Sequence, residues 1–379
     1  MRVSISVNRP FHAVLMANTL SHLDQDVMIY SGAPRRYFSG LDQRVATAFI
    51  PAPILGASYK LKISLPGPVD RFDTWLFDRS VSIRISRSDL FVGWASQALH
   101  SARRARLLGA KFVLDRACPH RDFQDRIVAE EAERVGAKAR KQAPWFRDRQ
   151  LEEYELADAI LVPSDYTMKT FPDHLQAKLL KAPLLGRCRV PESVSVVRKK
   201  PFTVGVLGGN PLRKGYLYLL QAWKRLALPD AQLLLRAGDF AGLPVLKELM
   251  GSLPNVERVG YLPDISDFYR RCDVFVLPSI DDGFGMALVE AMVHQNACIA
   301  TTHCGASEII TSGHDGLVVP PGDSDALAHA ILSVYENEEL RQELALQAGR
   351  TAGAFLESRA YEAAMVKMLE MMGKDTSLQ

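Results

Sequence analysis

The chain has 379 residues, 47% of them hydrophobic, 23% charged and 8% aromatic, and its 46 basic and 43 acidic side chains leave a net charge of +3. Single cores stop growing near about 250 residues, so two domains are expected, while so even a charge balance gives no bulk attraction to nucleic acid. No apolar run is long enough to span a bilayer, and five scattered cysteines without a C-x-x-C pair argue against a disulfide frame or structural zinc.

The opening "MRVSISVNRPFHAVLMANTL" lacks the basic, apolar and small-residue succession of an export signal, so a cytoplasmic location is expected and "RVSISV" (2–7) reads as a first strand. "DVMIYSG" (26–32), "LFVGWA" (90–95), "AKFVLDRA" (110–117) and "DAILVPS" (158–164) continue a strand and helix rhythm. "NRPFHA" (8–13) follows the first strand with Arg9 and His12, and "DRACPH" (115–120) sets Arg116 and His120 on a carboxyl-end loop facing the expected inter-domain cleft. Basic residues cluster between Arg79 and Arg149 near Trp94, Trp145 and Phe146. Interleaved acids such as Asp122, Glu130, Glu131 and Glu133 favour a solvated helix face, with docking on an anionic membrane as the rival reading.

The Pro-, Ser- and Lys/Arg-rich stretch "GRCRVPESVSVVRKKP" (186–201) marks the expected boundary, giving an N-terminal domain over 1–195 and a C-terminal domain over 196–355. Beyond it "FTVGVLG" (202–208), "QLLLRAG" (232–238), "VERVGYL" (256–262), "DVFVLPS" (273–279) and "ACIATTH" (297–303) read as strands of a parallel sheet covered on both faces. "ADAILVPSDYT" (157–167) and "CDVFVLPSIDD" (272–282) echo one another, as two similar doubly wound halves would. The tail from Glu338 reads as helices, with 356–379 expected to pack back on the N-terminal domain.

Three stretches carry candidate chemistry. In "SIDDGFGMALVEAM" (279–292), Gly283 and Gly285 allow a tight turn and close ligand approach, and the following helix points its amino terminus at the same place. Glu290 then stands alone among apolar neighbours and needs hydrogen-bond donors, from protein or from ligand hydroxyls; Asp281 and Asp282, taken alone, read as a solvated turn. In "FTVGVLGGNPLRKGYLYLLQAW" (202–223), Gly208 and Gly209 precede Arg213 and Lys214 at a helix start: elements of an anion site, though neither a Walker A loop nor G-x-G-x-x-G. In "THCGASEIITSGHDGLVVPPGD" (302–323), Glu308 reads as a helix-dipole residue slightly ahead of a ligand, and "DSD" (323–325) as a helix cap rather than a metal site.

Together these residues resemble the retaining glycosyltransferases of family 4, whose fold, GT-B, sets two Rossmann-like doubly wound domains across a cleft. The family's E-x7-E carboxylate pair looks like Asp282 and Glu290, its Lys-Gly like Lys214-Gly215, and its glycine-rich closing run like 305–323, while "DRACPHRDFQ", "EYELADAILVPSDYT" and "NRPFHAVLMANTL" are similar to first-half signatures. The resemblance implies a nucleotide-diphosphate donor, a UDP-sugar or GDP-sugar, and no metal. It gives Glu290 the ribose hydroxyls and Asp282 the hydroxyls of the donor sugar. The amides of Gly283, Phe284 and Gly285 hold the sugar and diphosphate, and Lys214 with Arg213 neutralises the leaving diphosphate. His120 stands near the reacting carbon, Gly208, Gly209 and Tyr261 complete the donor side, and Arg9, His12 and Arg116 face the acceptor, a glycan or lipid-linked hydroxyl. The sequence departs from the family where Asp282 replaces the first Glu and where Arg9, Pro10, Phe11 and His12 replace a glycine-rich loop. A nucleotide-sugar 2-epimerase of the same fold and a catalytically silent nucleotide-sugar binder stay open as alternatives, and a peripheral position on the inner face of the cell membrane accompanies the lipid-linked acceptor.

Overall fold

The computed structural model describes residues 1–9, 12–50, 67–137, 144–184, 201–238, 240 and 242–373. Its first sheet comprises β1 (Arg2–Val7), β2 (Asp26–Ser31), β3 (Ala46–Phe49), β4 (Leu90–Trp94), β5 (Lys111–Asp115), β6 (Ala159–Val162) and β7 (Leu179–Lys181), in the order β3-β2-β1-β4-β5-β6-β7. The second comprises β8 (Phe202–Gly208), β9 (Ala231–Ala237), β10 (Val256–Arg258), β11 (Val274–Leu277), β12 (Ala297–Thr301) and β13 (Leu317–Val319), in the order β10-β9-β8-β11-β12-β13. Every pairing is parallel.

The apolar runs explain the layering. β4, β11 and β12 are buried along their whole length, so both faces of each sheet need cover. Alternation along β4 sends Leu90 and Val92 to a core shared with Met16 and Leu20 of helix Ala13–His22, and Phe91 to the opposite core with Phe77 and Val81 of helix Gly67–Arg84. In the second sheet Val204, Val206 and Leu235 pack with Leu219 and Trp223, while Phe275 and Leu277 pack with Leu288, Met292 and Ala348 on the other side. Tyr361, Met365 and Met368 of the last helix, Ala360–Gly373, enter the core of the first sheet.

One feature of this architecture positions the site. The order of each sheet reverses between adjacent strands, β1 beside β4 and β8 beside β11, and the loops leaving these strands diverge to make a crevice. The expected boundary at 186–201 falls almost entirely outside the described residues, as do Pro10 and Phe11.

Candidate active site

The loop after β8 is shaped by glycine. Gly215 holds a left-handed φ of 64° at the start of helix Tyr216–Leu226, and a Cβ there would lie 1.9 Å from the carbonyl oxygen of Pro278. The close approach stitches this loop to the one after β11, where the amides of Ile280 and Asp281 donate to the Arg213 carbonyl at 2.9 and 3.2 Å. Lys214 thereby stretches its stem across Gly208, where a Cβ would meet Lys214 Cγ at 2.6 Å, and its ammonium pairs with the Asp282 carboxylate. Gly285, at φ 91°, starts helix Met286–Val293, and the amides of Gly283, Phe284 and Gly285 donate no hydrogen bond among the described residues.

Gly208 and Gly209 form one wall of a cavity of about 520 Å³, with Gly238, Arg236, Arg258 and Tyr261 completing it. Gly238 is constrained by close approach alone, because a Cβ there would meet the Gly209 carbonyl oxygen at 2.1 Å. Arg236 and Arg258 were not singled out in the sequence, since an arginine at the end of a strand looks like ordinary surface charge. The Arg236 Nε is buried without a partner among the described residues, and the Arg258 guanidinium lies over the Phe240 ring at 5.3 Å.

Glu290 sits half-buried on helix Met286–Val293 and accepts a 2.6 Å hydrogen bond from the Tyr269 hydroxyl. Burial raises its pKa above the usual carboxylate value, and the Tyr269 bond and nearby His294 oppose that rise without cancelling it. One of the required donors is therefore protein; no hydrogen bond reaches Oε1 among the described residues. Glu290 is not part of the cavity wall described above.

Asp281 overturns the expectation of a solvated turn. It is fully buried and collects three partners: Arg213 Nε at 2.9 Å, Gln124 Nε2 at 2.8 Å and the Tyr166 hydroxyl at 3.2 Å, the last two from the N-terminal domain. Arg213 thereby spends its Nε on Asp281, because a buried carboxylate requires paired donors. Around it the Gly283 carbonyl accepts from Ser164 Oγ at 2.6 Å and Thr167 Oγ1 at 3.0 Å, and His303 stacks on Tyr166 at 5.0 Å. Glu308 accepts the amides of Asp165 and Tyr166 at 3.0 and 2.6 Å, so it serves a helix amino terminus, and the helix belongs to the other domain. Asp323 accepts the amides of Asp325 and Ala326, a helix cap.

The remaining N-terminal candidates are spread out. His120 caps helix Arg121–Arg134 by accepting the Asp122 amide at Nδ1 and packs its ring against Tyr154 and Phe171 at 5.1 and 5.2 Å. Its carbonyl accepts the Gln124 amide, and its side chain lines a separate cavity with Thr170 and Leu175. Burial lowers its pKa to about 4. Arg116 donates twice to the Pro119 carbonyl of its own loop, and Arg9 pairs with Asp70. His12 contacts Asp115 at 2.7 Å beneath Trp94. Among the described residues no hydrogen bond or ion pair joins any of these side chains to the Lys214–Asp282 pair.

Two charged loops on either side of a strand-order reversal, shaped by glycines and facing a second domain, make a site for an anionic ligand carrying hydroxyls. Residues 199–337 match the sequence family of glycosyl transferases group 1. Within the matched segment lie Lys214, Asp281, Asp282 and Glu290. The capsular polysaccharide biosynthesis glycosyltransferase CapM of Staphylococcus aureus is 29% identical over 146 residues, 37% of this chain and 38% of that protein. The chain thus spans roughly a third of the length of the curated relatives it matches, 31% of another. Over nearly its whole length, the structure is similar to sucrose-phosphate synthase from Thermosynechococcus elongatus, with a TM-score of 0.72, 16% identity and 98% of this chain and 99% of that chain covered. It is also similar to Anabaena HepE in complex with UDP-glucose, with a TM-score of 0.67, 16% identity and 98% and 100% covered. At such identities the likeness is one of fold, and that fold is GT-B.

Proposed function

We propose that this protein is a retaining glycosyltransferase of family 4 type, moving a hexose from a UDP-sugar or GDP-sugar to a hydroxyl of a glycan or lipid-linked acceptor. The observation that carries the reading is the Lys214–Asp282 pair, held by two glycine-shaped loops beside the Gly208–Gly209 cavity and the amino end of helix Met286–Val293. The match of 199–337 to group 1 glycosyltransferases supports it.

In this reading the donor diphosphate displaces Asp282 from Lys214, and Lys214 neutralises charge that grows on the departing phosphate, a task for which a fixed cation in a closed site is well suited. Asp282, released, accepts from hydroxyls of the donor sugar, and Glu290 takes the ribose hydroxyls through Oε1 while Tyr269 holds Oε2. The three amides of 283–285 complete the cradle for sugar and diphosphate. Arg213 contributes by fixing Asp281 rather than by touching the donor. The acceptor approaches from the first-half loops bearing Arg9, His12, Arg116 and His120, and attacks from the face the diphosphate leaves, which preserves the anomeric configuration.

Thermal-shift titration of UDP, GDP and ADP against the wild type and Glu290→Ala tests the donor reading: one nucleotide stabilises the wild type, and the shift disappears in the variant. No shift with any of the three would sink it. A silent binder would bind nucleotide yet neither transfer nor hydrolyse, a 2-epimerase would convert the donor with no acceptor present, and an inverted product linkage would overturn retention.

A further inference from the structure

We infer that the outer face of helices Gly67–Arg84 and Leu99–Leu107 is a docking surface for an anionic lipid bilayer. Phe72, Trp75, Arg79 and Ile83 follow one another at helical spacing on a single exposed stripe, and Phe72 stacks on Trp75 at 6.1 Å. Ile83 is 76% exposed and Leu107, on the neighbouring helix, 80%. Of the ten large apolar side chains most exposed among the described residues, these two helices carry four, a concentration that scattered surface hydrophobes do not show.

The charge beside this apolar stripe is mainly positive. A cavity of about 560 Å³ opens between the two helices, lined by Arg79, Ser82, His100, Arg103 and Arg104. Arg103 pairs with Glu152, whereas Arg79 and Arg104 have no acidic partner among the described residues. The nearby acids are spent or turned away. Asp78 is fully buried, accepting from the His100 and Ser101 amides and from Arg149, Asp73 is buried too, and Asp70 pairs with Arg9. A guanidinium binds a phosphodiester through paired donors, and an exposed tryptophan settles at the headgroup level, so cation and ring together fit an anionic lipid surface. Of the aromatics that sequence proximity associates with the basic clusters, Trp94 and Phe146 are buried and Trp145 is half-buried with the Arg149 guanidinium over its ring, so the exposed rings of this face are Phe72 and Trp75.

Flotation of the full-length chain with vesicles tests this, using phosphatidylcholine alone and an equimolar mixture with phosphatidylglycerol. Binding is expected to the mixed vesicles only and to weaken as salt screens the charge. Arg79→Ser with Arg104→Ser should lower affinity roughly fivefold per arginine, since each basic residue near an anionic surface contributes about 1 kcal/mol. Trp75→Ser with Ile83→Ser should weaken binding comparably, and nucleotide-induced stabilisation should be unchanged in all variants, which verifies their fold. Equal binding to both vesicle types, no binding to either, or variants that float like the wild type would overturn the proposal.

Discussion

Lys214 and Asp282 neutralise each other across two loops, and this pairing decides how each can be tested. If Lys214 carries the diphosphate charge, Lys214→Ala should lower turnover by roughly a hundredfold or more, and transfer should persist in EDTA. Loss of transfer in EDTA with recovery on adding a divalent cation would refute the metal-free reading. His120 offers a second test at this scale. Its pKa falls from an ordinary 6.5 to about 4 on burial, so the unfolded chain binds a proton that the folded one refuses between those values. Its contribution to stability is therefore complete above about pH 6.5 and is lost as pH falls toward 4, by about 3 kcal/mol. His120→Asn keeps a capping acceptor without the titration, so urea denaturation at pH 7 and pH 4.5 should show a smaller acid loss than in the wild type; parallel losses would count against the assignment. A lone acid among apolar residues flagged Glu290 in the sequence. Its partner Tyr269 was invisible because it lies 21 positions earlier and only the fold brings the two together.

At the scale of elements, long buried strands were legible and, β10 apart, short edge strands were not. β3, β7 and β13, of three or four residues, stand at the sheet edges, and no apolar run announces them because only one neighbour fixes them. The echo between 157–167 and 272–282 has a physical basis. Asp158 and Asp273 each precede an interior strand and accept the amide of a residue in the adjacent strand, Phe112 and Thr203, both at 2.7 Å. The glycine loops are equally local in origin. Gly215→Ala adds a Cβ at a left-handed φ and against the Pro278 carbonyl, so a loss of about 2 kcal/mol or more is expected in chemical denaturation. Gly209→Ala, with nothing within 4 Å, should shift stability by no more than about 0.5 kcal/mol. Equal costs would mean the loop geometry is not what restrains Gly215.

At the scale of the molecule, Asp281 joins the domains. Tyr166 and Asp281 are each the tenth residue of their echoed segments and hydrogen-bond to one another, so the two halves meet through corresponding strand ends. Gln124→Leu with Tyr166→Phe removes both N-terminal donors and leaves Asp281 only Arg213. A hydrogen bond to a charged group is worth about 1.5–3 kcal/mol, so the domains should part and water should reach the carboxylate. Small-angle scattering should then report a larger radius and transfer should fall at least about tenfold, with nucleotide binding retained. An unchanged radius would show that other contacts, such as Glu308 on the 165–169 helix, suffice.

By itself the sequence determined the class of fold, the sheet-forming runs and the glycine-rich loops, because period, apolar runs and turn chemistry are local properties of the chain. It also marked Glu290, whose residue type stands out from its apolar neighbours, while Lys214 and Asp282 were marked by the family resemblance. Only the tertiary structure decided which charges are spent and which are open. Arg213 looked open to a ligand and its Nε is held by Asp281 of its own domain, Glu308 serves a helix amino terminus of the other domain, and Asp281 looked solvated and is buried. Pairing depends on distances between segments far apart in the chain, and no local pattern encodes them.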